Sequence, residues 1–191
     1  REQAKGYLPT TEFYNRIYGQ KGWKAITIRS LSIGQGEILV TPLQLANQAA
    51  AIANKGYYIT PHFNRNDSMK SDIHTTLVDS IHFDVVHRGM ERVMTNGTGR
   101  WYNIPELQMC GKTGTVQNPH GEDHALFIGF APKDNPQIAV AVAVENAGFG
   151  ATWACPMATL VMEQYLTGEI KRNALYERMV NANLIDKSDE E

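Results

Sequence analysis

The sequence is poor in cysteine, has no long apolar run and carries no excess of either charge. Its 2 cysteines, Cys110 and Cys155, are too few for a disulfide framework, and we interpret both as buried free thiols. No apolar stretch approaches the ~20 residues with which a helix crosses a bilayer. The 18 Lys and Arg residues are balanced by 20 Asp and Glu residues, which argues against nucleic-acid binding. The remaining composition is that of an ordinary globular protein.

Three helices are predicted from capping residues and from apolar residues that recur at helical spacing. Thr41 and Pro42 form a helix start, an Ala-rich run follows, and Gly56 is the predicted stop. Helical spacing predicts a second helix over residues 83–94 and a third over about 156–166. The segments before the first helix and between the first two are rich in glycine or polar residues, so we expect mostly loops there.

The periodicity changes after the second helix, where three strands are predicted. They cover residues 109–116, 124–131 and 138–145, and the short polar connections between them favour antiparallel neighbours. In the third strand large apolar residues alternate with small ones, a pattern typical of a sheet that is covered on both faces. The expected fold class is therefore α+β, an antiparallel sheet flanked by helices.

The first predicted strand carries the most informative short motif, Gly111-Lys112-Thr113-Gly114-Thr115. Lys112 supplies a fixed positive charge for a carboxylate, and the hydroxyls of Thr113 and Thr115 supply hydrogen-bond donors. Gly114 leaves room for a ligand backbone along the strand edge. A Lys-Thr-Gly string is short enough to occur by chance, and an edge lysine also protects a sheet from aggregation. The motif therefore needs support from the rest of the chain.

That support comes from segments on both sides of the motif. Serine enzymes that open β-lactams or cross-link peptidoglycan carry a Lys-Thr-Gly strand in this context. The likeness continues, in the same order along the chain, over residues 32–36, 41–46, 89–90, 97–99, 124–132, 135–136 and 144–146. The match as a whole covers roughly residues 6–168, too much of the chain for coincidence. The sequence resembles the class B penicillin-binding proteins and, among them, the penicillin-binding protein 2 group of cell elongation.

This resemblance implies a peptidoglycan D,D-transpeptidase. In such an enzyme a serine attacks the penultimate D-alanine of a stem peptide, expels the last D-alanine and passes the acyl group to a neighbouring amine; penicillin is an acylating mimic. The resemblance makes Lys112 the catalytic residue of this chain, and it makes Lys112, Thr113, Gly114 and Thr115 substrate-binding residues. It implies no cofactor and no metal.

The resemblance also implies a domain organisation, a location and partners. Residues 1–170 are expected to be the C-terminal portion of a transpeptidase domain with the penicillin-binding and β-lactamase-like fold, and residues 171–191 a polar tail. We expect a periplasmic or extracytoplasmic protein, anchored in the cytoplasmic membrane by an upstream segment. The expected partners are peptidoglycan stem peptides, β-lactam antibiotics and a membrane glycosyltransferase of the elongation machinery, with no nucleic acid.

The chain departs from the family pattern in lacking the nucleophile. No serine is followed by lysine at S-x-x-K spacing or by asparagine at S-x-N spacing; the serines are Ser30, Ser32, Ser68, Ser71, Ser80 and Ser188. In the family both elements would lie upstream of Gly6. We therefore expect the chain alone to be inactive. We also expect it to expose apolar surface and to be marginally stable, oligomeric or complemented by another polypeptide.

Two alternatives of the same fold stay open at this point. One is a β-lactamase, against which the long likeness before residue 60 argues. The other is a non-catalytic β-lactam sensor or binding module, which would also need a serine upstream. The closer likeness to penicillin-binding protein 2 favours the transpeptidase.

One short loop contains several residues of the types that bind metals. His120, Glu122, Asp123 and His124 fall in one loop, which we interpret as a solvated hairpin tip because a flexible loop seldom holds three zinc ligands in place.

The aromatic residues Trp101, Tyr102 and Trp153 are interpreted as packing residues, with Trp153 the best candidate for lining a ligand groove. Residues 146–150 follow the third strand and are a candidate border of the substrate cleft.

Overall fold

The computed structural model describes residues 4–62 and 72–185 of the chain. The chain divides into two compact units, Arg1–Thr41 and Pro42–Glu191. Within the described ranges, no helix combines the length and the apolar character needed to cross a membrane.

The smaller unit is organised around aromatic rings. Its elements are α1 (Thr11–Tyr18), α2 (Ala25–Ile28) and a 3-10 helix over Arg29–Ile33. Thr10 caps α1 by accepting a hydrogen bond from the N–H group of Phe13. Tyr14 is buried and donates its hydroxyl hydrogen to Glu37 over 2.8 Å. Burial, together with this carboxylate, raises the pKa of Tyr14 to about 12.

The larger unit alternates helices and strands along its described residues. Its elements are α3 (Pro42–Ala53), β1 (Tyr57–Ile59), β2 (Ile73–Thr75), α4 (Phe83–Thr95), β3 (Cys110–Val116), β4 (His124–Ala131), β5 (Ile138–Val144), α5 (Ala154–Thr167) and α6 (Asn173–Val180). Short 3-10 helices cover Ser80–His82, Arg100–Tyr102 and Pro105–Leu107. The predicted helices and strands are confirmed as α3, α4, α5, β3, β4 and β5, whereas β1, β2 and α6 were not predicted.

The central sheet has the order β3-β4-β5 with antiparallel neighbours, and β1 and β2 form a separate hairpin. α5 covers one face of the sheet, where Phe127 of β4 and Met162 of α5 lie in the main core. α3 and α4 cover the other face at one end, where Phe130 packs with Met90. At the opposite end of that face, Ala143 is exposed. The prediction of a sheet covered on both faces is therefore right for the first face and for one end of the second.

α3 ends differently from its prediction. The sequence places the stop at Gly56, and the structure gives a positive φ to two consecutive residues, Lys55 at 56° and Gly56 at 112°. The N–H of Lys55 donates to the carbonyl of Ile52 and that of Gly56 to Ala51, both over 2.9 Å, which is a Schellman ending. Gly56 is favoured by its φ of 112°, which L side chains rarely adopt, and by the tight 3.1 Å contact that a Cβ atom there would make with the ring of Phe83.

The segment after α5 packs into the larger unit although its sequence predicts a polar tail. α6 lies within that segment and buries Met179. Just before α6, Arg172 donates from Nε to Glu163 over 2.8 Å and from Nη1 to the carbonyl of Tyr102 over 2.9 Å. The Glu163 side chain is only 4% exposed, so this ion pair holds the segment against α5. The acidic end of the predicted tail, residues 186–191, lies outside the described residues.

Apolar side chains are exposed around the start of α4. Leu77, Val78, Ile81 and Val85 are each more than half exposed. Exposed apolar residues that cluster in this way are typical of a surface that another segment or chain covers. The patch agrees with the expectation of exposed apolar surface, and the oligomeric state stays a prediction.

Candidate functional site

The predicted substrate-binding residues lie on β3, at one edge of the sheet. Lys112 is paired with Ile128 of β4, and the motif continues in register through Thr113, Gly114 and Thr115. In the described part of the chain, no strand pairs with the other edge of β3. Such an edge can form main-chain hydrogen bonds with an extended peptide. The structure thus presents the four residues in a row on a strand that can accept a ligand strand.

The first glycine of the motif is required by packing beneath the strand. A Cβ atom on Gly111 would lie 2.1 Å from Cζ of Phe127, whose side chain is fully buried in the main core. Glycine therefore lets the Phe127 ring pack directly under β3. The position of the next residue, Lys112, depends on this close fit.

The loop after β5 crosses the sheet at the motif. A Cβ atom on Gly150 would lie 2.3 Å from the carbonyl oxygen of Gly114 and 2.2 Å from that of Leu126. Both neighbours are backbone atoms of paired strands, so they cannot move aside without disturbing the sheet. Residues 146–150 are predicted to border the cleft, and Gly150 brings this loop onto Gly114.

One ammonium group and two threonine hydroxyls form the polar part of the site. The exposed Lys112 ammonium donates to the carbonyl oxygen of Thr113, 2.6 Å away. The Thr113 hydroxyl lies 2.9 Å from the hydroxyl of Thr98, in the turn after α4. Thr115 is partly buried two residues further along β3. Ammonium and hydroxyl donors grouped on an edge strand suit a carboxylate ligand.

Thr98 is a site residue that the sequence did not single out. In the sequence, its segment Gly97-Thr98-Gly99 stands out only as one of the stretches that resemble the family. A Cβ atom on Gly97 would lie 2.8 Å from Cα of Val93, and one on Gly99 would lie 2.6 Å from Sδ of Met94. The two glycines therefore fold the turn tightly against α4. This flanking pair is the signal that could have directed attention to the threonine between them.

The loop that carries two histidines and two acidic residues is held by hydrogen bonds of its own. Asp123 accepts from the N–H of Asn118 over 3.1 Å, and His124 accepts through Nδ1 from the N–H of Asn146 over 3.0 Å. His120 and Glu122 are exposed. Across residues 4–62 and 72–185, no three His, Cys, Asp or Glu side chains are grouped so that they could hold a metal ion.

Two of the three aromatic candidates are packing residues. Tyr102 and Trp153 are partly buried against the main core, as predicted. The guanidinium of Arg178 lies 5.7 Å from the ring of Trp153. Trp153 also lines a cavity with His120 and Asn146, as expected of the best candidate for lining a groove. Trp101 is 77% exposed, so the prediction that it packs is wrong. Its ring is stacked under Arg100, 4.8 Å away.

A threonine, a histidine and an aspartate meet at the loop end of the β1–β2 hairpin but do not form a catalytic triad. Thr60 Oγ1 lies 3.0 Å from Nε2 of His74, and Asp72 Oδ2 lies 3.1 Å from the same nitrogen. A triad needs the hydroxyl and the carboxylate on opposite ring nitrogens. Thr60 and Asp72 are exposed, His74 is partly buried, and their contacts close the hairpin.

The two cysteines are free and buried, as predicted. Burial raises the pKa of Cys110 to about 12, and burial likewise raises that of Cys155 to about 12. Both side chains are therefore protonated thiols at neutral pH, and neither is a candidate nucleophile.

We expect no thiol of the native chain to react with an aromatic disulfide reagent at pH 8. Burial blocks access and holds both groups in the unreactive protonated form. In denaturant both should react, since the pKa of an exposed thiol returns to about 8.5. The measurement is the number of thiols titrated before and after unfolding. Rapid reaction of either cysteine in the native state would contradict the buried assignment.

Comparison with known proteins places this geometry in a family. The family model described as "Penicillin binding protein transpeptidase domain" matches residues 4–163. Peptidoglycan D,D-transpeptidase MrdA of Acinetobacter baumannii is 34% identical over 86% of this chain. The crystal structure of Pseudomonas aeruginosa PBP2 in complex with WCK 5153 is similar with a TM-score of 0.74 and 36% identity, over 90% of this chain and 41% of that one. Penicillin-binding protein A from M. tuberculosis, in an imipenem acyl-enzyme complex, is similar with a TM-score of 0.63 and 30% identity, over 72% and 33%.

These relatives are considerably longer than the chain, which spans 28% of the A. baumannii protein. The matched family model extends from residue 4 into α5 and includes the Lys112 strand and the other two strands of its sheet. The chain belongs to the penicillin-binding protein transpeptidase family, and its relatives include peptidoglycan D,D-transpeptidases of the penicillin-binding protein 2 type.

Proposed function

We propose that this chain is the carboxylate-binding part of a serine-type peptidoglycan D,D-transpeptidase that penicillin acylates. The observation that carries the proposal is the placement of the Lys112 ammonium and the Thr113 hydroxyl on an edge strand. A stem peptide that ends in D-alanyl-D-alanine presents a free carboxylate one residue from the bond to be cut. A fixed cation with adjacent hydroxyl donors would hold that carboxylate.

The edge of β3 would orient the rest of the substrate. An extended D-alanyl-D-alanine main chain can pair with the strand, and Gly114 leaves space on the side where the ligand lies. Lys112, Thr113 and Thr115 would fix the carboxylate, while the positive charge of Lys112 stabilises negative charge that develops during acylation. Holding the substrate main chain and its carboxylate in place supplies much of the rate enhancement of such a site.

The covalent step requires residues that this chain does not contain. A serine oxygen attacks the carbonyl carbon of the penultimate D-alanine, the C–N bond breaks, and the last D-alanine leaves with a proton on its nitrogen. The acyl group then passes to the amine of a second peptide. The chain has no S-x-x-K or S-x-N element, and its family relatives are longer, which together support a nucleophile located upstream. The longer protein of which this chain would be a part is called the full-length protein below.

The proposal includes a location and a partner. The full-length protein would face the periplasm, anchored in the cytoplasmic membrane by an upstream segment, and would work with a membrane glycosyltransferase. Both points are carried over from what the family resemblance implies. Cell fractionation tests the first, since recovery of the full-length protein in the cytoplasm would contradict it. Co-purification from solubilised membranes tests the second.

Covalent labelling with a fluorescent penicillin tests the central proposal. We expect the full-length protein to be labelled, and the 191-residue chain to remain unlabelled because it has no nucleophile. If neither protein is labelled, the transpeptidase assignment is wrong for this member of the family. If the short chain itself is labelled, the account of a missing nucleophile is wrong.

A further inference from the structure

We infer that Thr98 positions the hydroxyl of Thr113 for the substrate carboxylate. The inference rests on the proposed function and adds a residue outside the Lys-Thr-Gly strand to the site. Its basis is the 2.9 Å contact between the two hydroxyl oxygens, which connects the turn after α4 to β3. Thr98 acts through Thr113 and is a positioning residue.

The chemistry of two paired hydroxyls determines what the site offers to a ligand. Each hydroxyl has one hydrogen to donate and can accept two. One of the two hydrogens is used within the pair, so one hydrogen remains for an external acceptor. If Thr98 donates, the Thr113 hydrogen is directed away from Thr98. The accepted hydrogen bond also polarises the Thr113 hydroxyl and makes it a stronger donor to a carboxylate.

The turn that carries Thr98 is rigidly held. Its two glycines leave no room for a Cβ atom against Val93 and Met94, and the N–H of Gly99 donates to the carbonyl of Val93 over 2.9 Å. Met94 is fully buried in the main core. Close packing of the turn against α4 keeps the Thr98 backbone next to β3, so that its hydroxyl would orient Thr113 before a ligand arrives. Orientation in advance of binding increases the rate with which a site captures its ligand in the reactive pose.

A purely structural role for the Thr98–Thr113 contact makes a different prediction. Both side chains are at least partly exposed, and the contact would then only tie α4 to β3. Loss of the Thr98 hydroxyl would loosen the site for every ligand equally. A positioning role predicts a loss that depends on the ligand carboxylate and on the presence of the Thr113 hydroxyl.

The test uses the full-length protein and the second-order rate of acylation by penicillin and by its methyl ester. Thr98→Val should lower the rate for penicillin about 3- to 10-fold, the range expected for one hydrogen bond, and leave the rate for the ester unchanged. Thr98→Ser keeps the hydroxyl and should restore the rate. In a Thr113→Val background, Thr98→Val should have no further effect, because the residue through which it acts is gone.

The matched control is Thr95→Val, at the end of α4, the helix that precedes the turn carrying Thr98. The Thr95 hydroxyl lies 2.8 Å from Oδ1 of Asn96 and 3.2 Å from the carbonyl oxygen of Glu91, either of which can accept its one hydrogen, and neither partner belongs to β3. This variant should acylate at the wild-type rate. Equal losses for penicillin and its ester in Thr98→Val, or losses that add to those of Thr113→Val, would overturn the inference while the proposed function stands. A wild-type full-length protein that is not acylated at all would overturn both.

Discussion

Replacing Lys112 by alanine in the full-length protein is expected to slow acylation by penicillin about 30- to 1000-fold, the loss typical of removing one partner of a charged hydrogen bond from a ligand site. Lys112 carries the one positive charge of the Lys-Thr-Gly strand, and its ammonium already lies against that strand at the carbonyl of Thr113. The substrate carboxylate would lose its counter-charge, and the developing negative charge would lose its nearest cation. The measurement is the second-order rate constant of labelling by a fluorescent penicillin.

Two further variants separate this effect from general damage. Lys171→Ala removes an exposed lysine that pairs with Glu169 after α5, and it should label at the wild-type rate. Lys112→Arg keeps the charge and should recover part of the loss, because a guanidinium also binds carboxylates. The melting temperature of Lys112→Ala should stay close to that of the wild type, since the side chain is exposed. Acylation of Lys112→Ala at the wild-type rate would show that the carboxylate is held elsewhere.

Replacing Gly150 by alanine is expected to destabilise the larger unit by about 3 kcal/mol or more, the upper range for overpacking. The added Cβ atom would overlap the carbonyl oxygens of Gly114 and Leu126, at 2.3 and 2.2 Å. Relief would require the loop to lift from the sheet or the two strands to separate. Because Gly114 belongs to the proposed ligand-binding strand, acylation of the full-length protein should fall together with stability. The free energy of unfolding in urea measures the first effect.

Gly89→Ala is the matched control for this substitution. Gly89 lies within α4, and a Cβ atom there would meet no atom within 4 Å. Alanine is favoured over glycine within a helix by about 0.8–1.0 kcal/mol, so this variant should be more stable than the wild type. If Gly150→Ala were as stable as Gly89→Ala, the close approach of the loop to the motif would be wrong.

Periodicity was sufficient to predict the central elements of the fold. The alternation of large and small apolar residues identified β5, and the capping pair Thr41-Pro42 identified the start of α3. The hairpin of β1 and β2 was missed because its strands have only three residues each, too few to show a period. α6 was missed because its attachment depends on the ion pair of Arg172 with Glu163, which spacing in the sequence does not reveal.

The burial and the contacts of polar residues also could not be predicted from the sequence. His87 is buried on α4, where its Nε2 lies 2.7 Å from the carbonyl oxygen of Ile52 on α3. Thr98 contacts a partner 15 residues away on another element. A hydrogen bond between elements satisfies such residues, and a pattern of hydrophobicity cannot indicate it. The Lys112 motif was predictable because its residues are consecutive on one strand.

The site of acylation in the full-length protein tests the central claim most directly. After labelling with penicillin, proteolysis and mass spectrometry would identify the modified peptide. The account predicts a label on a serine that precedes lysine at S-x-x-K spacing, upstream of Arg1. A label on any residue of the 191 described by this sequence would contradict the division of the site between an upstream nucleophile and the Lys112 strand.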